Sequence, residues 1–518
     1  VGLRQIVVIG GGPGGLLAAR LLRRRWRCPV TVFERQPPGS TYGFGVALHD
    51  HAMSRLEAVD REAWQALLRL GYPLRRWIMQ RDGEQVGIDN DGGLGIGRAT
   101  ALGQLTELAE RAGVDVQTGH EVAVDEVGSA DLVIAADGVG SATRERLAPA
   151  LGVHVDPGPI PFVWCGAAVD PGGMLLATAE TDDGIFTAHV MPFAPGRATF
   201  QVDTEPAALE RAGLATASAA TPAQESDRAT LEYLESAFAD VLNGGPLEGN
   251  RSRWSIFSTV ACDRWWHART VLVGDAAHTA HYTVGSGTRM AMEDAIALAD
   301  ALDGGGSLEE SFIAYEQARR PAVERLQSRA RRSQRWWASL RSRFRLPLAT
   351  LLLSYYTRTG SVSLGDLTRS NRLLLEGCLR LYDPRADPLD VGGGILASPF
   401  PLNGRMLAGR VLGIGHAGAS DPKVAYLPAA GVEAWSPASE SFCRHAEATR
   451  REGAEVLCLT GPPARDAVLD RLDVAEQVRL ATRTPVAIEA PPGHRDDLAI
   501  GLLTQRIDLA ALTPDESR

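Results

Sequence analysis

The sequence predicts an α/β protein with three parts: a Rossmann-like nucleotide-binding domain, an antiparallel sheet inserted into it, and a smaller β/α domain resembling part of a TIM barrel. Three observations carry this. A β-branched run, Ile6–Ile9, leads into GGGPGG and then a Leu-rich pattern at helical spacing. Between about 150 and 260, short runs such as TFQVD and FTAHVM alternate apolar and polar residues, the period of a half-buried strand. From about Asp387, Pro- and Gly-rich connections separate short strands (VLGIG, EVLCL, PVAIEA) from helices over 440–452, 465–481 and 495–506.

The first element is the most constrained. Gly10-x-Gly12-x-x-Gly15 follows a strand buried on both faces. Gly10 allows a tight turn, Gly12 lets backbone approach a pyrophosphate, and Gly15 lets helix and strand pack closely. The helix start offers unpaired N–H groups and a partial positive charge to phosphates. Val30–Phe33 is the second strand and ends at Glu34, whose carboxylate can accept ribose hydroxyls. This fingerprint by itself does not separate FAD from NAD.

Two later segments sharpen it. ADLVIAAD (130–137) is a buried strand that runs into GVGSATR, which places Asp137 and Arg144 beside the phosphate site. An Asp-Gly turn that merely caps a helix has the same pattern. VLVGDAAHTAHYTVGSGTRMAMED (271–294) reads as a strand, then Gly274-Asp275, then Gly285-Ser286-Gly287 opening a helix near Thr288. Asp275 can hold a sugar-alcohol chain, and the Gly loop offers N–H donors to an anion such as the one that develops at N1–C2=O of a reduced flavin. Three segments gripping one long, flat, phosphate-bearing cofactor point to FAD.

Composition bounds the rest. The chain has 518 residues and a net charge of −10, which argues against a broad nucleic-acid-binding surface. Lys423 is the only lysine, so a P-loop lysine is excluded and lysine Schiff-base chemistry is disfavoured. Six scattered cysteines without a CxxC pair read as reduced core thiols in a cytoplasmic protein. No signal peptide pattern opens the sequence given, and the longest apolar stretch, 346–356, is too short to span a bilayer; it reads as a buried or cleft-lining helix. His49-Asp50-His51 lacks the supporting ligands a metal site needs, so no metal is expected.

In their order and separations, GGGPGG, ADGVGSATR and VGDAAH resemble the single-component FAD-dependent aromatic hydroxylases, the group A flavoprotein monooxygenases. Arg98, in GIGRATALGQL, matches the family's arginine that leads a helix near the cofactor. The segments YGFGVALHD, FVWCG, GIFTAHVMPF, HYTVGSGTRMAMEDA and RRSQRWW are similar to a narrower branch that includes salicylyl-CoA 5-hydroxylase and 2-aminobenzoyl-CoA monooxygenase/reductase. Tyr282 and Arg289 stand where the family usually carries Pro and Asn, a departure that touches substrate contacts rather than flavin binding.

The resemblance implies a GR2-type FAD-binding domain in which Gly10, Gly12, Gly14, Gly15, Glu34, Arg35, Arg98, Asp137, Gly274 and Asp275 hold FAD, and Gly285, Ser286, Gly287 and Thr288 approach its ring system. It also implies reduction by NADPH or NADH docked transiently, and oxygen transfer through a C4a-hydroperoxide. The expected substrate is a small electron-rich aromatic, a 2-hydroxy- or 2-aminobenzoyl thioester on CoA or an acyl-carrier protein. A free indole, phenol or polyketide ring is the alternative, and a non-catalytic flavoprotein sensor or scaffold the alternative of another class. His49, His281 and Tyr282 are candidate catalytic groups, because a histidine can serve as a base near neutral pH. Trp164, His189 and Tyr72 are candidate substrate walls. For each histidine a packing role is the plainer reading, and Trp336 and Trp337 read as core. The Arg-rich stretch 319–345 could meet carrier phosphates, though a solvated helix face is the commoner reason for such a run.

The expected boundaries are 1–385 for the hydroxylase (FAD-binding 1–150 and 255–345, substrate sheet about 150–255, helical 345–385) and 386–518 for the rest. The last part faintly resembles the old-yellow-enzyme barrel, cut down to about 130 residues against roughly 250 for a full barrel, and no FMN is expected on it. Bracing the hydroxylase, forming a homodimer and holding a large substrate are the roles open to it.

Overall fold

The computed structural model describes residues 3–41, 43–48, 53–90, 92–382, 384, 390–413 and 422–513. They form two compact units, Val1–Gln85 with Asn90–Gln334, and Val86–Asp89 with Arg335–Arg518. The sequence-based boundary at 385 falls inside the second unit, so the helices after Arg335 group with the C-terminal strands.

In the first unit a six-stranded sheet has Ile6–Ile9 at its centre, flanked by Val30–Glu34 and Leu132–Ala135, with Asp115–Thr118 and Thr270–Leu272 beyond them. These pairs are all parallel, and every residue of Ile6–Ile9 and Leu132–Ala135 is buried, as near-continuous apolar runs require. The helix Pro13–Trp26 packs on Gly287–Asp303, and Gly14 makes that approach possible: a Cβ there would lie 3.0 Å from the Ala291 methyl.

The second sheet runs in the order Leu247–Gly249, Val153–Ala167, Arg197–Thr204, Gly184–Ala194, Met174–Thr181 and Arg76–Arg81, with Ser255–Cys262 paired to the first half of Val153–Ala167. All of these pairs are antiparallel except Met174–Thr181 with Arg76–Arg81. Its two faces differ by the strand period. One carries Val163, Cys165, Val190, Phe200 and Val202 into a core closed by the helices of 206–238. The other carries Phe162, Trp164, His189, Gln201 and Asp203.

In the second unit, Val424–Pro428, Val456–Thr460, Val486–Ala490, Leu509–Leu512 and Val411–Leu412 form a parallel sheet in that spatial order. From Val424–Pro428 onward successive strands neighbour each other, and Val411–Leu412, the first in sequence, joins the last, as barrel strands do. Among the described residues no pair joins Val411–Leu412 to Val424–Pro428. A short hairpin, Phe400–Leu402 with Arg405–Leu407, precedes these strands. The predicted helices appear as Pro437–Arg451, Arg465–Thr482 and Arg495–Leu503. The apolar stretch at 346–356 is the buried helix Leu348–Thr357, and Trp336 and Trp337 are core residues packed with its Tyr355. Among the described residues no helix is long and apolar enough to cross a membrane.

The Arg-rich stretch is only partly a solvated face. Arg319, Arg332 and Arg343 are buried. Arg343 donates to both carboxylate oxygens of buried Glu476, at 2.9 and 2.5 Å. Burial opposes ionisation of Glu476, but the Arg343 charge outweighs it and holds the carboxyl below its ordinary range. Breaking such a pair strands a charge in the core. Glu476→Leu should therefore cost about 3–5 kcal/mol of stability, and the double change Arg343→Met with Glu476→Leu should recover most of it. Denaturant unfolding of the three proteins checks this.

Candidate functional site

The site begins at the glycine loop. Gly10 sits at φ +107, and a Cβ on it would lie 2.2 Å from the Ala136 carbonyl oxygen; one on Gly15 would lie 2.2 Å from the Gly10 carbonyl oxygen. Both glycines are required by protein packing alone. Gly12 differs: its backbone is extended (φ −74, ψ 175), and among the described residues a Cβ there meets no atom within 4 Å. It opens onto the N-terminus of Pro13–Trp26, which has no side-chain cap, so the helix's first N–H groups face the space in front of it. That is the shape a pyrophosphate needs. Glu34 lies alongside, its two oxygens accepting from the Gly11 and Gln36 N–H groups at 2.8 Å each, which fixes the carboxylate at the strand end. Arg35 points to solvent.

The Asp137 segment takes the helix-capping form that its sequence left open. Its carboxylate accepts from Ser141 Oγ at 2.6 Å and Thr143 N–H at 3.0 Å, so it organises the turn into Ala142–Arg146. Buried Arg144 donates to the carbonyls of Val139, Asp275 and Ala276. Rather than facing phosphate, the guanidinium ties this loop to the Gly274–Ala276 turn.

That turn is held from below. Asp294 is fully buried and accepts from the Gly274 N–H at 3.0 Å, His278 Nε2 at 2.8 Å and Arg319 Nε at 2.7 Å. Burial pushes the Asp294 carboxyl up; His278 and Arg319 outweigh it and hold the carboxyl below its ordinary value. Gly274, at φ +64, lies against Ala291, where a Cβ would approach to 2.7 Å. Asp275 is thereby turned out into the cleft. Its carboxylate stays open to solvent although protein surrounds it, and that enclosure raises its carboxyl, with His278 and Arg98 pulling the other way. Arg98 starts the helix Arg98–Arg111 and donates its backbone N–H to Phe44. Beyond Asp275, Gly285 (φ +60) and Ser286 lead into Gly287–Asp303, a second long helix whose N-terminus, at Gly287 and Thr288, lacks a side-chain cap.

Over this loop lies the polar face of the second sheet. Strand register places Trp164 opposite Gln201 and Gln201 opposite His189, with Phe162 opposite Asp203 in the next row. Asp203 accepts from His189 Nε2 at 2.8 Å, Gln201 Nε2 at 3.1 Å and Tyr282 Oη at 2.5 Å. Tyr282 stacks with Phe162 at 4.8 Å and His281 at 4.1 Å, and lies 6.1 Å from Trp164. Its phenol is pushed well above the ordinary range by burial and the Asp203 charge. His281 is buried, with Nδ1 3.0 Å from Thr283 Oγ1.

Of the predicted residues, Trp164, His189, His281 and Tyr282 are therefore brought together. Tyr72 is not: it lies in a short strand paired with Leu94 and Gly95, and its hydroxyl donates to Asp170. His49 and its neighbours Asp50 and His51 lie outside the described residues. Asp203, Asp294 and Arg319 were missed. Asp294 had a sequence signal, standing seven residues into the helix that the glycine loop opens. Asp203 had none until register was known.

Further along the same sheet face, Phe44 rests on Gly166, where a Cβ would come within 2.5 Å of its ring. Past it is a cavity of about 440 Å³ lined by Thr41, Phe44, Thr100, Phe193, Arg197 and Asn250 among others. Gln201 and Arg197 are four residues apart on one strand, so the cavity's Arg197 edge is about 13 Å from the Trp164–His189 row.

A family described as FAD binding domain matches residues 4–330. The chain belongs to the FAD-binding-domain family of flavin-dependent aromatic monooxygenases. Its resident cofactor is FAD, and the open Gly12 cradle, the two uncapped helix starts and the outward Asp275 fit that molecule. Salicyloyl-CoA 5-hydroxylase of a Streptomyces species is 35% identical over 98% of this chain and 100% of its own length. The 3-hydroxy-4-methyl-anthranilyl-(aryl-carrier protein) 5-monooxygenase of Streptosporangium sibiricum is 37% identical over 70% of this chain and 96% of its own. Among solved structures, tetrameric 2-methyl-3-hydroxypyridine-5-carboxylic acid oxygenase shares the fold at 21% identity and a TM-score of 0.54, over 71% of this chain and 98% of that one.

Gly12 separates folding from cofactor binding. Gly12→Ala should unfold like the parent as apoprotein, since its Cβ meets nothing, yet bind FAD weaker by roughly tenfold or more, about 1.4 kcal/mol. Flavin titration beside thermal melts of the apoprotein checks both halves. Asp275→Ala should purify with little FAD; full yellow occupancy in that variant refutes the ribityl assignment.

Proposed function

We propose that this monooxygenase hydroxylates the ring of a 2-hydroxy- or 2-aminobenzoyl thioester, carried on coenzyme A, at the expense of NADPH or NADH and O2. The observation that carries the reading is full-length similarity. The relative named for a CoA thioester aligns with 98% of this chain, whereas the one named for a carrier-protein thioester covers 70%. The cavity about 13 Å along the sheet from Trp164 supports it, because a ring with a long flexible tether needs such an outlet.

When bound, FAD supplies the reductive activation of oxygen. The chain's residues supply position and dryness. The starts of Pro13–Trp26 and Gly287–Asp303 offer N–H donors to the cofactor's anionic groups, Asp275 takes its sugar-alcohol chain, and Phe162, Trp164 and Tyr282 wall the ring site against water. His189 and Tyr282 face the ring's donor group.

The test is substrate-stimulated NAD(P)H oxidation with product mass, across benzoic acids, their CoA thioesters and carrier-bound thioesters. Salicyloyl- or 2-aminobenzoyl-CoA should accelerate NAD(P)H consumption by roughly tenfold or more over the free acid and gain one oxygen. Acceleration by a free phenol or indole, with no response to any thioester, overturns the reading.

A further inference from the structure

We propose that Trp164 reads the acyl group of the substrate: its indole N–H donates a hydrogen bond to the thioester carbonyl oxygen. The inference rests on the thioester hydroxylase reading and adds to it the residue that tells a carbonyl from any other link between ring and tether.

The first observation is a donor without an acceptor. Trp164 Nε1 is buried and, among the described residues, has no hydrogen-bond partner. An indole N–H can only donate, and a buried donor without an acceptor is costly. Gln201 Nε2, His189 Nε2 and Tyr282 Oη, on the same face, all bond to Asp203, and Trp164 stands outside that group. The indole is held in place. Fully buried Ser252 donates from Oγ to the Trp164 carbonyl, the strand register sets Trp164 opposite Gln201, and Phe162 and Tyr282 pack on its ring, each with centroids 6.1 Å away.

The second observation is where this donor stands along the sheet. Alternate residues of Val153–Ala167 form rows on one face, about 7 Å apart. Phe162 is opposite Asp203, Trp164 opposite Gln201, and Gly166 opposite Thr199. The first row, with Tyr282 packed on Phe162, walls the aromatic ring. The third carries Phe44 over Gly166 and leads to the cavity edged by Phe44 and Arg197. A thioester carbonyl is bonded to the ring on one side and to the tether's sulfur on the other. With the ring in the first row and the tether leaving past the third, the carbonyl falls in the row of Trp164. The chemistry agrees. A carbonyl oxygen has two lone pairs. In a 2-hydroxy- or 2-aminobenzoyl group the ortho substituent donates to one and keeps the acyl group in the ring plane, which leaves the other for the indole N–H. A methylene in the same place offers no acceptor and strands the N–H.

Two ligands test this by equilibrium dialysis against the FAD-loaded, oxidised enzyme without NADPH: salicyloyl-CoA, and S-(2-hydroxybenzyl)-CoA, which has a methylene in place of the carbonyl. Trp164→Phe keeps an aromatic wall and removes the N–H. It should weaken salicyloyl-CoA by roughly tenfold and leave the thioether within about twofold, at parental FAD content. A packing role would weaken both ligands alike. Equal losses, a larger loss for the thioether, or no loss overturns the proposal. Should Trp164→Phe not fold, the parent alone decides: it should bind salicyloyl-CoA about fivefold or more tighter than the thioether, and equal affinities overturn the proposal. Parent enzyme that binds neither CoA ligand overturns the thioester reading itself, and the proposal with it, before the variant is compared.

Discussion

Asp294 is the interaction on which the cofactor site depends. A carboxylate with no exposure is tolerable only when its charge is matched and its lone pairs are filled. Here the Gly274 N–H and His278, both from one turn, and Arg319, from the helix Leu308–Ala338, fill them. The turn after the Thr270–Leu272 strand, the helix Gly287–Asp303 and the helix Leu308–Ala338 are thereby locked to one point. Arg319 carries the lock one step further, to Glu293 at 2.8 Å, and Trp265 closes it from the side by stacking on His278 at 4.8 Å. Asp275 is aimed outward because its neighbour Gly274 is held inward. Arg144 adds a second clamp through the Asp275 and Ala276 carbonyls, so the turn is gripped on both sides while its one free carboxylate faces the cleft.

What was legible in the sequence follows from how local each constraint is. The strand–glycine–helix start at Ile6–Trp26 was readable because its demands are made by backbone within a few residues: a positive φ at Gly10 and a close approach at Gly15. The alternation in FTAHVM and TFQVD marked strands correctly, and of the four expected walls Tyr72, Trp164, His189 and Tyr282 the fold brings all but Tyr72 together. Asp137 was ambiguous for a physical reason. An acid before glycine suits a ligand and a turn equally, and in the fold its oxygens are spent on Ser141 and Thr143. Asp203 was invisible because its meaning depends on register, which places it one row from Gln201 and His189 on the same face. A one-residue slip would turn it into the apolar core.

The arginines make the same point about charge. A run of them reads as a solvated face, yet Arg319 and Arg343 are core residues whose partners, Asp294 and Glu476, lie 25 and 133 residues away. Long-range pairing of this kind leaves no periodic trace. It also explains why the boundary at 385 was misplaced relative to the compact units: Arg343 to Glu476, and Trp336 to Ser354 at 2.9 Å, bind the helices after Arg335 into the C-terminal unit.

The cleft therefore meets a polyanionic cofactor with few free cations. The chain has one lysine, and Arg144 and Arg319 are committed to carbonyls and carboxylates within the protein. Among the described residues, the helix starts at Pro13–Trp26 and Gly287–Asp303 carry no side-chain cap, and the Arg98 charge acts on Asp275. Fixed backbone dipoles suit this task better than mobile cations. They need no counter-charge in the empty protein, and they do not neutralise Asp275, whose carboxylate must stay available as an acceptor. The internal salt bridges and the neutral donors of the cleft are thus two sides of one arrangement: arginine charge fixes the turn, and the backbone N–H groups of the two helix starts are left without side-chain caps.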